Sequence, residues 1–180
     1  MLTDSKSTYG LVTIVLHWFA VIAIGYLWLN APDDHGGQRS VSDASHIALG
    51  SGLGVLLIAR VLWRLGSVNP KPLSANALLN GVASAVKMAL LLDILLIIGT
   101  GLLTVWFKGD PVSLFGQWTL PNLVGAHPDM VRSVRGLHSL STNLILPVLL
   151  GLHVLGAIKH LVWDRDGTVA RMIWPRSEAA

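Results

Sequence analysis

Apolar runs close to twenty residues long, separated by short polar stretches, organise the whole chain. They cover about 11–30, 46–65, 84–106 and 137–163, and each approaches the ~20 residues needed to cross ~30 Å of hydrocarbon at 1.5 Å rise per residue. The pattern predicts an all-α membrane protein, a single domain over 1–180 built as a four-transmembrane-helix bundle. The first run is expected to stay as a mature helix rather than act as a signal peptide. It carries His17 and Trp18 and ends at Asn30-Ala31-Pro32-Asp33 with no convincing small-residue cleavage site.

The polar connections set the orientation. Pro32 to Ser45 carries Asp33, Asp34 and Asp43 against Arg39 and reads as an outside loop. The second connection holds Arg64, Asn69-Pro70-Lys71-Pro72 and Ser74, with Arg60 just inside the helix end and able to snorkel. In the longest connection, Lys108 to Gly136, Leu114-Phe115-Gly116-Gln117-Trp118-Thr119-Leu120-Pro121 reads as a segment lying in the interface, not as a fifth span. Lys6, Arg60, Arg64, Lys71, Lys159, Arg165, Arg171 and Arg176 fall on one side, and Arg39, Lys108, Arg132 and Arg135 on the other, with Lys87 unassigned. Eight against four predicts that both termini are cytoplasmic.

Composition then narrows the chemistry. With 52% hydrophobic and 13% charged residues and a mean hydropathy of +0.60, the solvent of this fold is lipid. Eighteen glycines and seven tryptophans suit close helix approach and interfacial anchoring. The net charge of +3 sits between apolar runs, as orientation signals do, and this excludes a nucleic-acid partner. Zero cysteine excludes disulfides, thiolate iron–sulfur ligation and thioether-linked haem, so a redox cofactor must be held by histidine, methionine or oxygen ligands.

Of seven histidines, His17, His46, His138 and His153 lie in or at the edge of apolar runs, where an ionisable residue is a functional candidate. One such ring alone is explained by a hydrogen bond to a neighbouring helix; the four depths together say more. His17 comes early in a helix running outward and His153 late in one running inward, so both lie toward the cytoplasm. His46 and His138 open their helices on the outer side. Two levels of paired imidazoles in a bundle are what two bis-histidine haems require, and iron with both axial positions filled performs outer-sphere electron transfer. His138 and His153 are fifteen residues apart, about 22 Å of rise and about 60° from facial alignment, which a kink or irregularity near Pro147 could absorb. Zinc is disfavoured because its three or four ligands must converge at ~2 Å. Gly50, Gly52 and Gly54 either make room for a porphyrin face or allow close helix packing. His35 and His127 read as solvated loop residues, and His160 as an interfacial residue in the last helical turn.

Taken in order, Tyr9, Leu16-His17-Trp18 and Ala20, His46 with Gly50, Arg60 with Arg64, Phe115-Gly116, Leu120-Pro121, Leu137-His138 with Asn143, and Gly151-Leu152-His153 leading to Lys159-His160, Asp166-Gly167-Thr168, Arg171-Met172 and Pro175 resemble the bacterial cytochrome b561 family. The resemblance implies a four-helix cytochrome of the bacterial cytoplasmic (inner) membrane with two haems b per chain, one on His17 and His153 and one on His46 and His138. It departs from the family in helix three, where Ser84, Lys87 and Leu91, with Asp93 nearby, replace a histidine pair and a tyrosine. The His138–His153 interval is also one residue longer, which a bulge near Pro147 would reconcile. The expected function is a quinone-linked oxidoreductase exchanging electrons between an outer-side donor, small anion or protein, and membrane quinone, ubiquinone being the expected substrate. The family offers superoxide as one such donor, and Arg132 and Arg135 are the candidates to steer it, their other reading being headgroup contact. The alternative is a haem-bearing membrane anchor relaying electrons for a dehydrogenase or hydrogenase partner. A structural bundle with no cofactor is the reading that the ordered histidines oppose.

Overall fold

The computed structural model describes residues 1–31, 41–74 and 76–174. Asp33, Asp34, His35, Arg39, Pro175 and Arg176 lie outside the described residues, so the outside-loop reading of Pro32 to Ser45 concerns a segment that is described only from 41 onward. Helix α1 spans Leu11–Leu29, α2 Val41–Gly66 and α3 Ala77–Phe107. A hairpin of β1, Val112–Leu114, and β2, Trp118–Leu120, follows. The last span is one continuous rod: α4, Pro128–Leu140, passes through a π-helical segment, Ser141–Ile145, into α5, Leu146–Lys159, and a second π turn, His160–Asp164. The four helical spans are long and apolar enough to cross a membrane. Large side chains such as Leu29 at 80% and Leu78 at 77% exposure face outward, which water would penalise and lipid does not.

Three helices begin earlier than hydropathy indicates, for reasons of capping rather than apolarity. Asn76 caps α3 by accepting the Leu79 N–H at 3.1 Å, so the helix starts at 77 and not 84. Pro128 in the first helical turn, with Asp129 beside it, starts α4 at 128 and not 137. Asp43 occupies the first turn of α2, which starts at 41 and not 46. The fourth span's 37 residues would measure about 55 Å, nearly twice the hydrocarbon thickness, so its charged opening turns extend beyond the apolar zone. The segment read as lying in the interface folds as the β-hairpin, with Leu114 paired to Trp118 and Phe115 in the left-handed region at φ 51°. The hairpin closes one end of the bundle: the Phe115 N–H donates to the Ala48 carbonyl at 2.8 Å and Ser51 Oγ donates to the Ser113 carbonyl at 2.5 Å.

The opposite, terminal end gathers the N-terminal residues, the described stretch that ends at 174 and the α2–α3 connection. Lys71 N–H donates to the Lys6 carbonyl at 2.9 Å, Arg171 Nη1 to the Lys71 carbonyl at 3.0 Å, and Trp18 Nε1 to the Met172 carbonyl at 2.8 Å. Asp4 secures the start of α1, accepting from the Gly10 backbone N–H at 2.7 Å and from the Thr13 hydroxyl at 2.8 Å. A Cβ at Gly10 would overlap the backbone of Leu2 and Thr3. Gly10→Ala is therefore expected to pry this strap from α1 and to increase protease cleavage within residues 1–9, whereas an unchanged cleavage pattern would show that the strap tolerates the shift.

Packing follows chain order: α1 lies on α2, α2 on α3, and α3 on both halves of the fourth span. Ala20, Leu57 and Ile94 form the central core of the first three helices. Val105, Trp106 and Val112 form a second core under the hairpin.

Candidate functional site

α1 and α5 face one another across the bundle through His17 and His153, whose ring centroids are 6.2 Å apart at an interplanar angle of 65°. Two imidazoles on one metal, each with a metal–nitrogen bond of about 2 Å and a ring centre about 1 Å beyond, would have centres about 6 Å apart. The pair therefore fits an iron held between two axial nitrogens. Arg60 does not snorkel to the interface but turns inward, its Nη2 standing 3.2 Å from His17 Nδ1. A guanidinium only donates, so Nδ1 accepts in this arrangement; were His17 to hold a metal through Nε2, the ring proton would sit on Nδ1 and Arg60 would turn to another acceptor.

At the other level His46 sits in the second turn of α2 and His138 near the end of α4, neither opening its helix, and the two are electrostatic neighbours. His138 Nδ1 lies 3.0 Å from the Ile97 carbonyl oxygen and 3.2 Å from Thr100 Oγ1. Because a carbonyl only accepts, Nδ1 carries the proton and Nε2 keeps its lone pair, the tautomer a metal ligand needs. A Cβ at Gly101 would come within 3.2 Å of His138 Cε1, so glycine there clears the ring. His46 Nδ1 is buried without a hydrogen-bond partner among the described residues, and a recess of about 380 Å³ bounded by Tyr26, Asn30, His46 and Leu49 lies beside it.

The π segment explains how one rod serves both levels. A single residue taken up in a π turn removes about 100° of rotation, converting a 60° mismatch into about 40° of the opposite sign. It lies at Ser141–Ile145, just before Pro147, rather than at the proline itself. The wide turn places Ser141, fully buried, against α3, where its Oγ donates to Asp93 Oδ1. Asp93 is 5% exposed and its Oδ2 has no partner among the described residues.

Other expected residues take different places. Arg132 and Arg135 lie within α4 rather than before it, exposed, with Arg135 one turn from His138 and acting on it. Lys87 belongs to the terminal end, lining a narrow recess of about 80 Å³ with Tyr9, Lys71, Ser84, His160 and Arg171. Gly52 packs against the Phe115 ring and Gly54 against Ile98, so these two serve helix and hairpin packing rather than a porphyrin face. His127 is exposed and packs edge-on against Phe107. His160 is not merely interfacial: its Nδ1 lies 2.7 Å from Asp166 Oδ2 and 3.2 Å from Asp164 Oδ2, and Lys159 closes on Asp164 at 2.5 Å. Slight burial would raise the Asp166 carboxyl, but the Thr168 N–H at 2.9 Å and His160 hold it below the usual carboxylate range. Sequence reasoning missed Ile97, Thr100 and Gly101 around His138. Their signal was their position on α3, one to two turns from Asp93, with Thr100 the only hydroxyl on that stretch before Thr104.

Comparison with known proteins agrees with this geometry. The family model described as prokaryotic cytochrome b561 matches residues 8–175. Cytochrome b561 homolog 2 of Escherichia coli (strain K12) is 29% identical over 181 residues, covering 95% of this chain and 94% of the relative. This multi-pass membrane chain therefore belongs to the prokaryotic cytochrome b561 family of haem b-binding electron-transfer proteins.

Proposed function

We propose that the chain is a di-haem oxidoreductase of the bacterial cytoplasmic membrane, with one haem b on His17 and His153 and a second on His46 and His138. The observation that carries this reading is the 6.2 Å spacing of the His17 and His153 rings across α1 and α5. When bound, each haem would supply a one-electron centre between the two histidines of its pair. The protein's part is to hold and orient: the Ile97 carbonyl fixes the His138 tautomer, and the lipid-facing helices exclude water. The excess of Lys and Arg at the terminal end supports a cytoplasmic position for that end and an outside position for the hairpin end. The outer donor gives up one electron at a time, superoxide leaving as dioxygen. Two such electrons and two protons convert a membrane quinone, ubiquinone in this reading, to its quinol. Tyr9, Ser84 and His160 at the terminal-end recess are donors of the type that hold quinone carbonyl oxygens.

The test is rapid mixing of the purified single chain with superoxide and ubiquinone in detergent, followed in the haem absorption bands. Reduction of the haems and then of quinone by the chain alone supports the reading. Failure of that transfer, together with stoichiometric co-purification of a dehydrogenase or hydrogenase, would assign the chain to relay duty in a larger enzyme. Arg132 and Arg135 give a sharper prediction. A cationic pair within two turns of a haem ligand draws a small anion over a range that shrinks with the Debye length, about 10 Å at 0.1 M salt. The Arg132→Gln, Arg135→Gln double variant should slow reduction by superoxide roughly tenfold at low salt and flatten its ionic-strength dependence, leaving spectra and reduction by a neutral quinol unchanged. Equal loss with both reductants would make the arginines structural.

A further inference from the structure

The terminal end holds cations that no described carboxylate meets. Arg60 and Arg64 stand one turn apart on one face of α2. Lys87 stands on α3, which packs against α2. Arg64 acts on both Arg60 and Lys87, while Arg60 and Lys87 both act on His153. Arg64 Nη1 is buried with no hydrogen-bond partner among the described residues. Among the described residues none of the three meets a carboxylate: of the acidic groups at this end, Asp4 accepts from Gly10 and Thr13, and Asp164 and Asp166 are engaged by Lys159 and His160. Arg60 and Arg64 are half-buried and Lys87 lines the terminal-end recess; charge drawn from water without a carboxylate is disfavoured, more so beside lipid, so this cluster next to the histidine pair marks a site for an anion.

The ligand that fits is dianionic, carboxylate-bearing and seated at His17 and His153. We propose that Arg60, Arg64 and Lys87 anchor the two propionates of the haem carried by His17 and His153, and that their charge makes this haem the higher-potential one, so that electrons run from the hairpin end to the terminal end. Arg60 is the member that leaves His17 Nδ1 when the ring proton moves there. The guanidiniums offer paired donors to carboxylates and Lys87 a point charge. At the other level the charges acting on the histidines are of both signs, Asp43 at His46 and Arg135 at His138, and Arg132 and Arg135 are exposed on α4. Positive charge stabilises the reduced, more negative state of a nearby iron, and among the described residues it is at the terminal-end pair that half-buried guanidiniums stand without a carboxylate. In the step itself one electron leaves the hairpin-end iron and enters the terminal-end iron, with no bond made or broken.

The inference rests on the two-haem reading above, and redox potentiometry of the purified holoprotein tests it separately. Two waves are expected in the wild type, and His46→Ala, which keeps the terminal-end haem, should retain the higher one. Arg64→Gln and Lys87→Gln should each lower that wave and the double variant lower it further. The other wave and the low-spin bis-imidazole signature should stay fixed, and Arg64→Lys should restore part of the shift. A second readout follows the carboxylates directly. In reduced-minus-oxidised infrared spectra of protein loaded with haem ¹³C-labelled at the propionates, the label-sensitive bands should move in Arg64→Gln and in Arg64→Lys. Retention of the lower wave by His46→Ala, or unmoved waves and bands in the Arg64 and Lys87 variants, would overturn the proposal. Fewer than two haems in the wild type would instead overturn the reading on which it rests.

Discussion

His17→Ala and His153→Ala should each reduce the haem content from two per chain to one, and the haem that remains should be the same in both. His46→Ala and His138→Ala should remove the other. The reason lies in ligand geometry: His17 and His153 belong to different helices yet bring their rings to 6.2 Å, so removing either leaves a single axial nitrogen at that level. Pyridine haemochrome titration measures the loss, and the residual spectrum and midpoint potential identify the survivor. Identical residual spectra and potentials for His17→Ala and His46→Ala would disprove the pairing. Among the four, His138→Ala should also loosen α4 from α3, because its Nδ1 bonds the Ile97 carbonyl as well as orienting the ring.

Ser141→Ala should destabilise the protein by about 1–3 kcal/mol, the cost of leaving a buried polar group without its partner. Asp93 is buried, its Oδ2 is already unpartnered, and Ser141 Oγ supplies the hydrogen bond to Oδ1. Removing the hydroxyl strands the whole carboxyl between α3 and the π segment. Replacing both residues with apolar ones, Asp93→Val with Ser141→Ala, should recover most of the loss, since a pair removed together leaves nothing unsatisfied. Thermal unfolding in detergent, followed by release of haem, reads both outcomes. An unchanged midpoint in Ser141→Ala would mean that Asp93 finds another partner.

Lipid reduces much of this protein to one dimension, and that is why its sequence is so readable. A bilayer orders residues by depth, so helix direction and position along the chain suffice to place His17 level with His153 and His46 level with His138. The same linear information supplied four spans, the surplus of Lys and Arg on one side, and the extra residue between His138 and His153 that calls for a bulge. Helix beginnings were less legible because hydropathy marks where lipid begins, whereas Asn76 and Pro128 start helices by capping outside it. Rotation about the helix axes is invisible to depth, and there only the tertiary structure decides. It turns Arg60 toward His17 instead of the interface, sets Thr100 and the Ile97 carbonyl on His138, and buries Ser141 against Asp93. It also gives Gly52 to Phe115 and folds an expected interfacial segment into a hairpin held by Ala48 and Ser51. Each of these depends on which face of one helix meets which face of another, a relation between distant residues fixed by packing and hydrogen bonding across the bundle.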